Sequence, residues 1–265
     1  MKYGATNLPS LPILDEIRNF AEMGFDYLEL GLDAPIGHYS VIRETKTEIL
    51  NALENHSMGL VCHLPTFVFS ADMTESIRRA SIEETVNSIQ VCAELGALKA
   101  VLHPAMTNWL GFLFMEKVKE YANEALEIIV EQAAKINVCL CIENMFPKYG
   151  YFFEPDEFLD VLERFPSLKV TLDVSHANIG DQKKNRISRF IRILGDHISH
   201  VHVSDNKGRE DDHLPIGAGK INFREVIKAL EIIDYKETVT FEVFTDDRTY
   251  AGESLKRFKE MINHT

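Results

Sequence analysis

Histidine and carboxylate side chains recur where short apolar segments of this sequence end. Imidazole and carboxylate groups are the ligands that divalent transition metals take in proteins. If the fold brings these ends together, the residue types indicate metal-assisted chemistry. The six ends are Cys62-His63, Leu102-His103-Pro104, Ile142-Glu143-Asn144, Leu172-Asp173-Val174-Ser175-His176, His200-Val201-His202-Val203-Ser204-Asp205 and Phe241-Glu242-Val243-Phe244.

The alternation of side chains within these segments indicates which way the polar groups point. Val201 and Val203 flank His202, and Glu242 also stands between two apolar residues. Because side chains alternate between the two faces of a strand, the apolar residues face one side and the polar residues the other. Burying several carboxylates and imidazoles together is costly unless a cation compensates them. We therefore predict a metal site, with a hydrogen-bonded structural core as the alternative.

Strand-like and helix-like segments alternate along the whole chain, which is the pattern of repeated βα units. The predicted strands are 2–7, 27–32, 60–64, 100–105, 138–144, 169–176, 198–206 and 238–244. The predicted helices are 11–22, 46–55, 74–95, 115–135, 155–164, 186–194, 223–232 and 250–262.

We predict an α/β fold, a (β/α)8 TIM barrel that forms a single domain over residues 1–265. Active sites of such barrels lie at the C-terminal ends of the strands, where all six polar segments end. An open doubly wound sheet is the alternative. That fold typically has a glycine-rich phosphate-binding turn after its first strand, and this sequence has none.

The composition limits the partners of the protein. The formal net charge is −13, which disfavours binding to nucleic-acid phosphates without excluding it. The concentrated basic run, residues 183–186, is interpreted as an exposed loop or helix start.

No signal-peptide pattern or membrane-spanning run is evident, so we expect a cytoplasmic protein with no membrane partner. The 4 cysteines lack CxxC spacing and are expected to be reduced and mostly buried; an oligomer is compatible with the sequence.

These motifs together resemble the xylose isomerase-like TIM barrel superfamily. That superfamily contains sugar and sugar-phosphate isomerases and epimerases, and also the endonuclease IV-like AP endonucleases of family 2. The resemblance rests on Ile142-Glu143-Asn144, Leu172-Asp173-x-x-His176, His200-Val201-His202-x-x-Asp205, Glu242 and the segment Asp211-Asp212-His213-Leu214-Pro215-x-Gly217-x-Gly219 with Phe223. It spans essentially the whole chain.

The isomerase and epimerase members imply a metal held by Glu143, Asp173, His202 and Glu242. Glu143 and Glu242 are then the catalytic acid and base, which transfer a proton through a metal-stabilised enediolate of a sugar or sugar phosphate. The same resemblance suggests that His176 and Arg209 contact the substrate. Further candidates for substrate contact are His63, His103 and Glu29. For Arg209 an exposed loop position is the alternative, and for Glu29 a salt-bridged carboxylate at the barrel rim.

The nuclease members imply a different chemistry, in which three zinc ions cleave a phosphodiester in abasic DNA. The nine ligand positions of these nucleases correspond in this sequence to the four residues named above and to five further candidate ligands. The five are His63, His103, His176, Asp211 and His213.

A non-catalytic metal-binding or sugar-binding module is a third hypothesis. The metal is a divalent cation, with Zn²⁺, Mn²⁺, Co²⁺ and Mg²⁺ all open, and the expected partner is a small polyhydroxy substrate.

Overall fold

A computed structural model describes residues 1–263 of the chain. Eight parallel strands, β1 to β8, pair in chain order, and β8 closes the barrel against β1. This confirms the predicted single-domain (β/α)8 barrel. The strands are Lys2–Thr6, Tyr27–Gly31, Gly59–His63, Ala100–Leu102, Leu140–Glu143, Lys169–Asp173, Ile198–Val203 and Thr238–Phe241.

Helices surround the barrel in the predicted order. The α-helices, α1 to α9, are Ile13–Glu22, Tyr39–Asn55, Glu75–Glu94, Met115–Lys135, Leu159–Arg164, Val174–Asn178, Arg186–Leu194, Phe223–Ile232 and Thr249–Asn263. The second helix is longer than predicted, and short 3-10 turns precede α4, α5 and β7. Among residues 1–263, no helix is both long and apolar enough to cross a bilayer.

All eight predicted strands extended too far at their C-terminal ends, four of them by three residues. The clearest difference follows β6, where residues 174–176 were predicted as strand but begin α6. The Asp173 side chain accepts a 2.6 Å hydrogen bond from the backbone N–H of His176, which caps this helix. Since a cap turns the chain away from the sheet, the strand ends at Asp173.

The barrel interior contains a small apolar layer below its polar end. Tyr27, Val61 and Val101 form a buried cluster of their own, and the Tyr27 hydroxyl lies 2.8 Å from Thr240 Oγ1 on β8. The Tyr27 ring reaches across β1 because residue 4 is glycine; a Cβ on Gly4 would lie 2.1 Å from the ring. Outward-facing residues such as Val201 pack in the main core between strands and helices.

Candidate metal centre

Glu143 occupies the centre of a ring of four imidazoles. It ends β5 and is 1% exposed. Its Oε2 lies 3.5 Å from His63 Nε2 and 3.2 Å from His103 Nε2. Its Oε1 lies 3.3 Å from His176 Nδ1 and 3.4 Å from His202 Nδ1. Four sequence-distant segments thus converge on one carboxylate.

Asp173 and Glu242 complete the four-residue set around His202. The Nδ1 atom of His202 lies 3.4 Å from Glu242 Oε1 and 3.9 Å from Asp173 Oδ2. One ligand atom each from Glu143, Asp173 and His202 lies within 4.8 Å of the others. The last four strands therefore bring together the four residues that the family resemblance selected.

The loop after β7 adds two more predicted residues. Asp211 Oδ2 lies 3.1 Å from His176 Nε2 and 2.9 Å from His213 Nε2. His213 in turn contacts the last strand, with its Nδ1 3.2 Å from the carbonyl oxygen of Glu242. All nine candidate ligands consequently lie in one connected cluster.

Asp205 holds this loop in place, a role that the sequence analysis missed. Its carboxylate accepts four backbone N–H bonds of 2.9 to 3.1 Å; the donors are Asn206, Gly217, Gly219 and Ile221. Residue 219 must be small, because a Cβ there would lie 2.3 Å from Asp205 Oδ1. The spacing His202-x-x-Asp205 followed by Gly217-x-Gly219 was the available signal for this arrangement.

Several ligand atoms of the cluster are buried with no hydrogen-bond partner within the described chain. They are both Glu143 oxygens, Asp173 Oδ2, His202 Nδ1, His103 Nδ1 and Asp211 Oδ1. Buried polar atoms are normally paired, so leaving several of them unpaired in one cluster is costly unless a ligand compensates them. A divalent cation fits, because its preferred ligands are the atoms left unpaired.

Backbone carbonyls fix the orientation of two histidines in the cluster. His63 Nδ1 lies 2.9 Å from the carbonyl oxygen of Leu64, and His176 Nδ1 lies 2.8 Å from that of Asn144. A nitrogen bonded to a carbonyl must carry the proton, so the opposite nitrogen, Nε2, is turned towards Glu143 in His63 and towards Asp211 in His176. Such support orients imidazoles in metal sites.

The carboxylates change the protonation of the cluster. Burial lowers the pKa of His63, but Glu143 outweighs it and raises the pKa to about 9. Burial also lowers the pKa of His213, but Asp211 outweighs this effect and raises the pKa to about 9. Burial raises the pKa of Asp173 to about 7. The cluster therefore holds protons near neutral pH that a cation would displace.

Glu29 does not lie at the barrel rim or against the substrate cavity, the two places that the sequence analysis considered. It is completely buried below the cluster, because β2 pairs Gly31 with His63 and leaves Glu29 two residues lower. Its Oε2 lies 2.9 Å from His200 Nε2 and its Oε1 lies 3.0 Å from His202 Nε2. Burial opposes ionisation, yet His202 and His200 hold the pKa of Glu29 well below its usual value.

A cavity of about 740 Å³ opens above the cluster. The predicted residues that line it are His63, His103, His176, Asp211, His213 and Glu242, and apolar walls include Leu32, Pro65, Phe67, Met106, Phe146 and Phe244. Arg209 is exposed in the loop after β7 and is not among the lining residues of the described part of the chain. The structure thus brings the histidines and acids together but leaves Arg209 outside.

Comparison with known proteins adds independent findings. A family model described as "Xylose isomerase-like TIM barrel" matches residues 17–261. The uncharacterized protein MJ1311 of Methanocaldococcus jannaschii is 28% identical over 99% of this chain and 91% of its own. Fructoselysine 3-epimerase of Shigella flexneri is 25% identical over 95% of this chain and 94% of its own. The crystal structure of a D-tagatose 3-epimerase-like protein matches with a TM-score of 0.84 at 26% identity, covering 100% of this chain and 99% of that one.

Proposed function

Because this chain belongs to the xylose isomerase-like TIM barrel family, we propose that it is a divalent-metal-dependent sugar isomerase or epimerase. The epimerases among its relatives support this class of enzyme. The observation that carries the proposal is the group of unpaired ligand atoms at the floor of the cavity. We assign the metal to Glu143, Asp173, His202 and Glu242.

A bound divalent cation would act there as a Lewis acid that polarises the carbonyl and neighbouring hydroxyl of a ketose, which makes the intervening C–H more acidic. The chain supplies the groups that move the proton. Glu143 and Glu242 each place a carboxylate oxygen 3.4 Å from His202 Nδ1. We assign one of them to remove the proton and the other to return it. Return to the opposite face of the same carbon gives epimerisation, and transfer to the adjacent carbon gives isomerisation.

The cavity lining favours an uncharged sugar over a sugar phosphate. Within residues 1–263, no lysine or arginine lines the cavity, whereas the carboxylates of Asp33, Glu84, Asp211 and Glu242 do. A phosphate dianion normally requires a cationic partner or a helix N-terminus, and carboxylates would repel it. Apolar side chains such as Phe67 and Phe146 instead suit the carbon face of a neutral sugar.

The test is proton exchange on neutral ketoses. Protein loaded with Mn²⁺, Co²⁺ or Zn²⁺ is incubated with ketoses in D2O, and NMR follows deuterium uptake at carbon and the appearance of the epimer. Glu242→Gln should lower kcat by about 10²- to 10⁴-fold, the usual contribution of an acid–base group, and should weaken metal binding while the fold is retained.

The control is Glu116→Gln, which removes an exposed carboxylate on α4. Glu116 contacts Lys119, with Oε1 3.5 Å from Nζ, and belongs neither to the cluster nor to the cavity lining. We expect this variant to keep its activity within about threefold. Full activity in Glu242→Gln would remove Glu242 from the mechanism, and no exchange with any of the three metals would reject the proposed class.

Phosphodiester cleavage in abasic DNA is the second candidate, and one observation favours it. All nine residues implied by the nuclease resemblance lie in the cluster. The net charge of −13 opposes DNA binding. Metal stoichiometry separates the two, because one ion per chain supports the isomerase and three support the nuclease. Cleavage of an abasic-site duplex, assayed beside the ketoses, provides the second readout.

A further inference from the structure

A chain of polar side chains runs through the barrel interior beneath the candidate metal centre. Glu29, His200 and His202 are completely buried, and Thr238 and Lys99 are 5% and 7% exposed. The chain continues the Glu29 contacts downward: His200 Nδ1 lies 2.6 Å from Thr238 Oγ1, and Lys99 Nζ lies 3.2 Å from the same oxygen. The proposed mechanism uses none of the residues below His202.

The hydrogen bonds in this chain have a definite direction. Lys99 Nζ has only protons to offer, so it donates to Thr238 Oγ1 and also to Ser199 O and Glu237. At the other end of the chain, the Glu29 carboxylate can only accept, so His200 donates to it from Nε2 over 2.9 Å. A neutral imidazole that donates from Nε2 accepts at Nδ1. The Thr238 hydroxyl therefore donates to His200 Nδ1 over 2.6 Å, a shorter contact than the 3.3 Å to its alternative acceptor, the carbonyl oxygen of Ser199.

The same reasoning fixes the orientation of His202. The Glu29 carboxylate accepts at both oxygens, so His202 Nε2 must be the donor of their 3.0 Å bond. The other nitrogen, Nδ1, has no hydrogen-bond partner in the described chain and faces Glu143 and Glu242 at 3.4 Å each. The buried carboxylate thus directs the Nδ1 atom of His202 upward, towards the cluster.

We propose that Glu29 and the Thr238–His200 pair below it are positioning residues that hold His202 as the Nε2–H tautomer, with Nδ1 directed at the metal. This inference rests on the proposed function, since it requires that the cluster binds a cation. It assigns a role to interior residues that touch neither the substrate nor the ion. Partners of metal-bound histidines typically change metal affinity by 10- to 100-fold when they are removed.

Metal affinity tests the proposal. Kd for Mn²⁺ and Zn²⁺ is measured by calorimetry on the metal-stripped protein. Glu29→Gln keeps the side-chain shape but gives residue 29 an N–H₂ group that cannot accept from both histidines, so we expect Kd to rise about 10- to 100-fold. Thr238→Val removes only the hydroxyl that orients His200, and we expect a rise of about five-fold in the same direction.

Thr171→Val is the matched control. Thr171 is completely buried inside the barrel next to His200 in the strand register, and its hydroxyl has no hydrogen-bond partner among residues 1–263. This variant should bind the metals as the wild type does. If Thr171→Val weakens binding as much as Glu29→Gln does, the effect is general loosening of the interior and the proposal is overturned.

The tautomer itself provides a direct readout. In the Zn²⁺-loaded wild type, ¹⁵N chemical shifts of His202 should report a protonated Nε2 and a metal-bound Nδ1. Zinc on Nε2 instead, or unchanged affinity in a folded Glu29→Gln variant, would overturn the inference while leaving the proposed function intact. A wild-type protein that binds neither metal would overturn the proposed function, and this inference with it.

Discussion

At the scale of single residues, the candidate centre is a set of buried side chains for which a cation and protons would compete. Glu143 alone has four imidazole nitrogens within 3.5 Å. Pairing between the acids and the histidines reduces the cost of burying these groups without a metal. The oxygens that have no partner show that the hydrogen-bonding capacity of the cluster is not fully used. Metal affinity and protonation must therefore be linked.

We expect metal affinity to increase with pH. In the metal-free protein, pKa values of about 9 at His63 and His213 and about 7 at Asp173 mean that these groups hold protons below those values. The ion takes the place of the protons, so raising the pH from about 6 to about 9 removes its competitor and lowers Kd.

Calorimetry in buffers of different ionisation enthalpy measures this release directly. Proton release on Zn²⁺ binding should be largest near neutral pH and should disappear above about pH 9 to 10. An affinity that is independent of pH over this range would show that the ion binds outside this cluster.

At the scale of elements, the loop after β7 depends on one aspartate. Asp205 accepts four backbone N–H groups and pairs with Leu214 through a short antiparallel bridge. Hydrogen bonds to an ionised acceptor are stronger than neutral ones. The positions of Asp211 and His213, which lie between these anchors, are consequently set by a residue that is absent from the cavity lining.

We predict that Asp205→Asn lowers the free energy of unfolding by about 2 to 4 kcal/mol, because the amide NH2 group cannot accept from the two backbone N–H donors it would face. Hydrogen exchange across residues 206–221 should accelerate, and turnover should fall as Asp211 and His213 move. Thermal denaturation and exchange mass spectrometry measure these effects.

Asp212→Asn is the comparison in the same loop. Asp212 accepts a single backbone bond, 2.9 Å from the N–H of Lys207, so its loss should cost about 1 kcal/mol or less. Equal effects of the two substitutions would contradict the anchoring role of Asp205.

The elements also show which features the sequence pattern could not predict. All eight strands are where the alternation predicted them, yet each predicted strand continued too far towards the ligands, four of them by three residues. The loss of sheet pairing after Asp173 depends on its side chain capping α6, a competition between two local structures that alternation does not encode. The inward position of Thr238, by contrast, could be predicted from the sequence. Residues 238 and 240 of β8 share a face with residue 242, which follows directly.

At the scale of the whole molecule, charge and shape select the substrate. The net charge is −13, and the cavity above the cluster has carboxylates but no lysine or arginine in its lining within residues 1–263. A phosphorylated substrate would approach an unfavourable field and find no lysine or arginine in this lining to balance its charge. A neutral substrate is spared both costs.

We therefore predict that a neutral ketose is turned over with a kcat/KM at least about tenfold higher than its phosphate ester, which corresponds to about 1.4 kcal/mol of discrimination. Raising the salt concentration should narrow the difference, since screening weakens the repulsion. A phosphate ester that is the better substrate at low salt would contradict this view of the cavity.

The sequence by itself determined the barrel and the inward-facing ligands, because alternation along each strand and the repeated βα order are local properties that survive without coordinates. Only the tertiary structure decided which polar residues share a layer. Glu29 and Arg209 both follow plausible patterns, but strand stagger places Glu29 beneath the cluster and the loop path leaves Arg209 outside the cavity. Those positions depend on the relative placement of segments far apart in the chain, which no local pattern records.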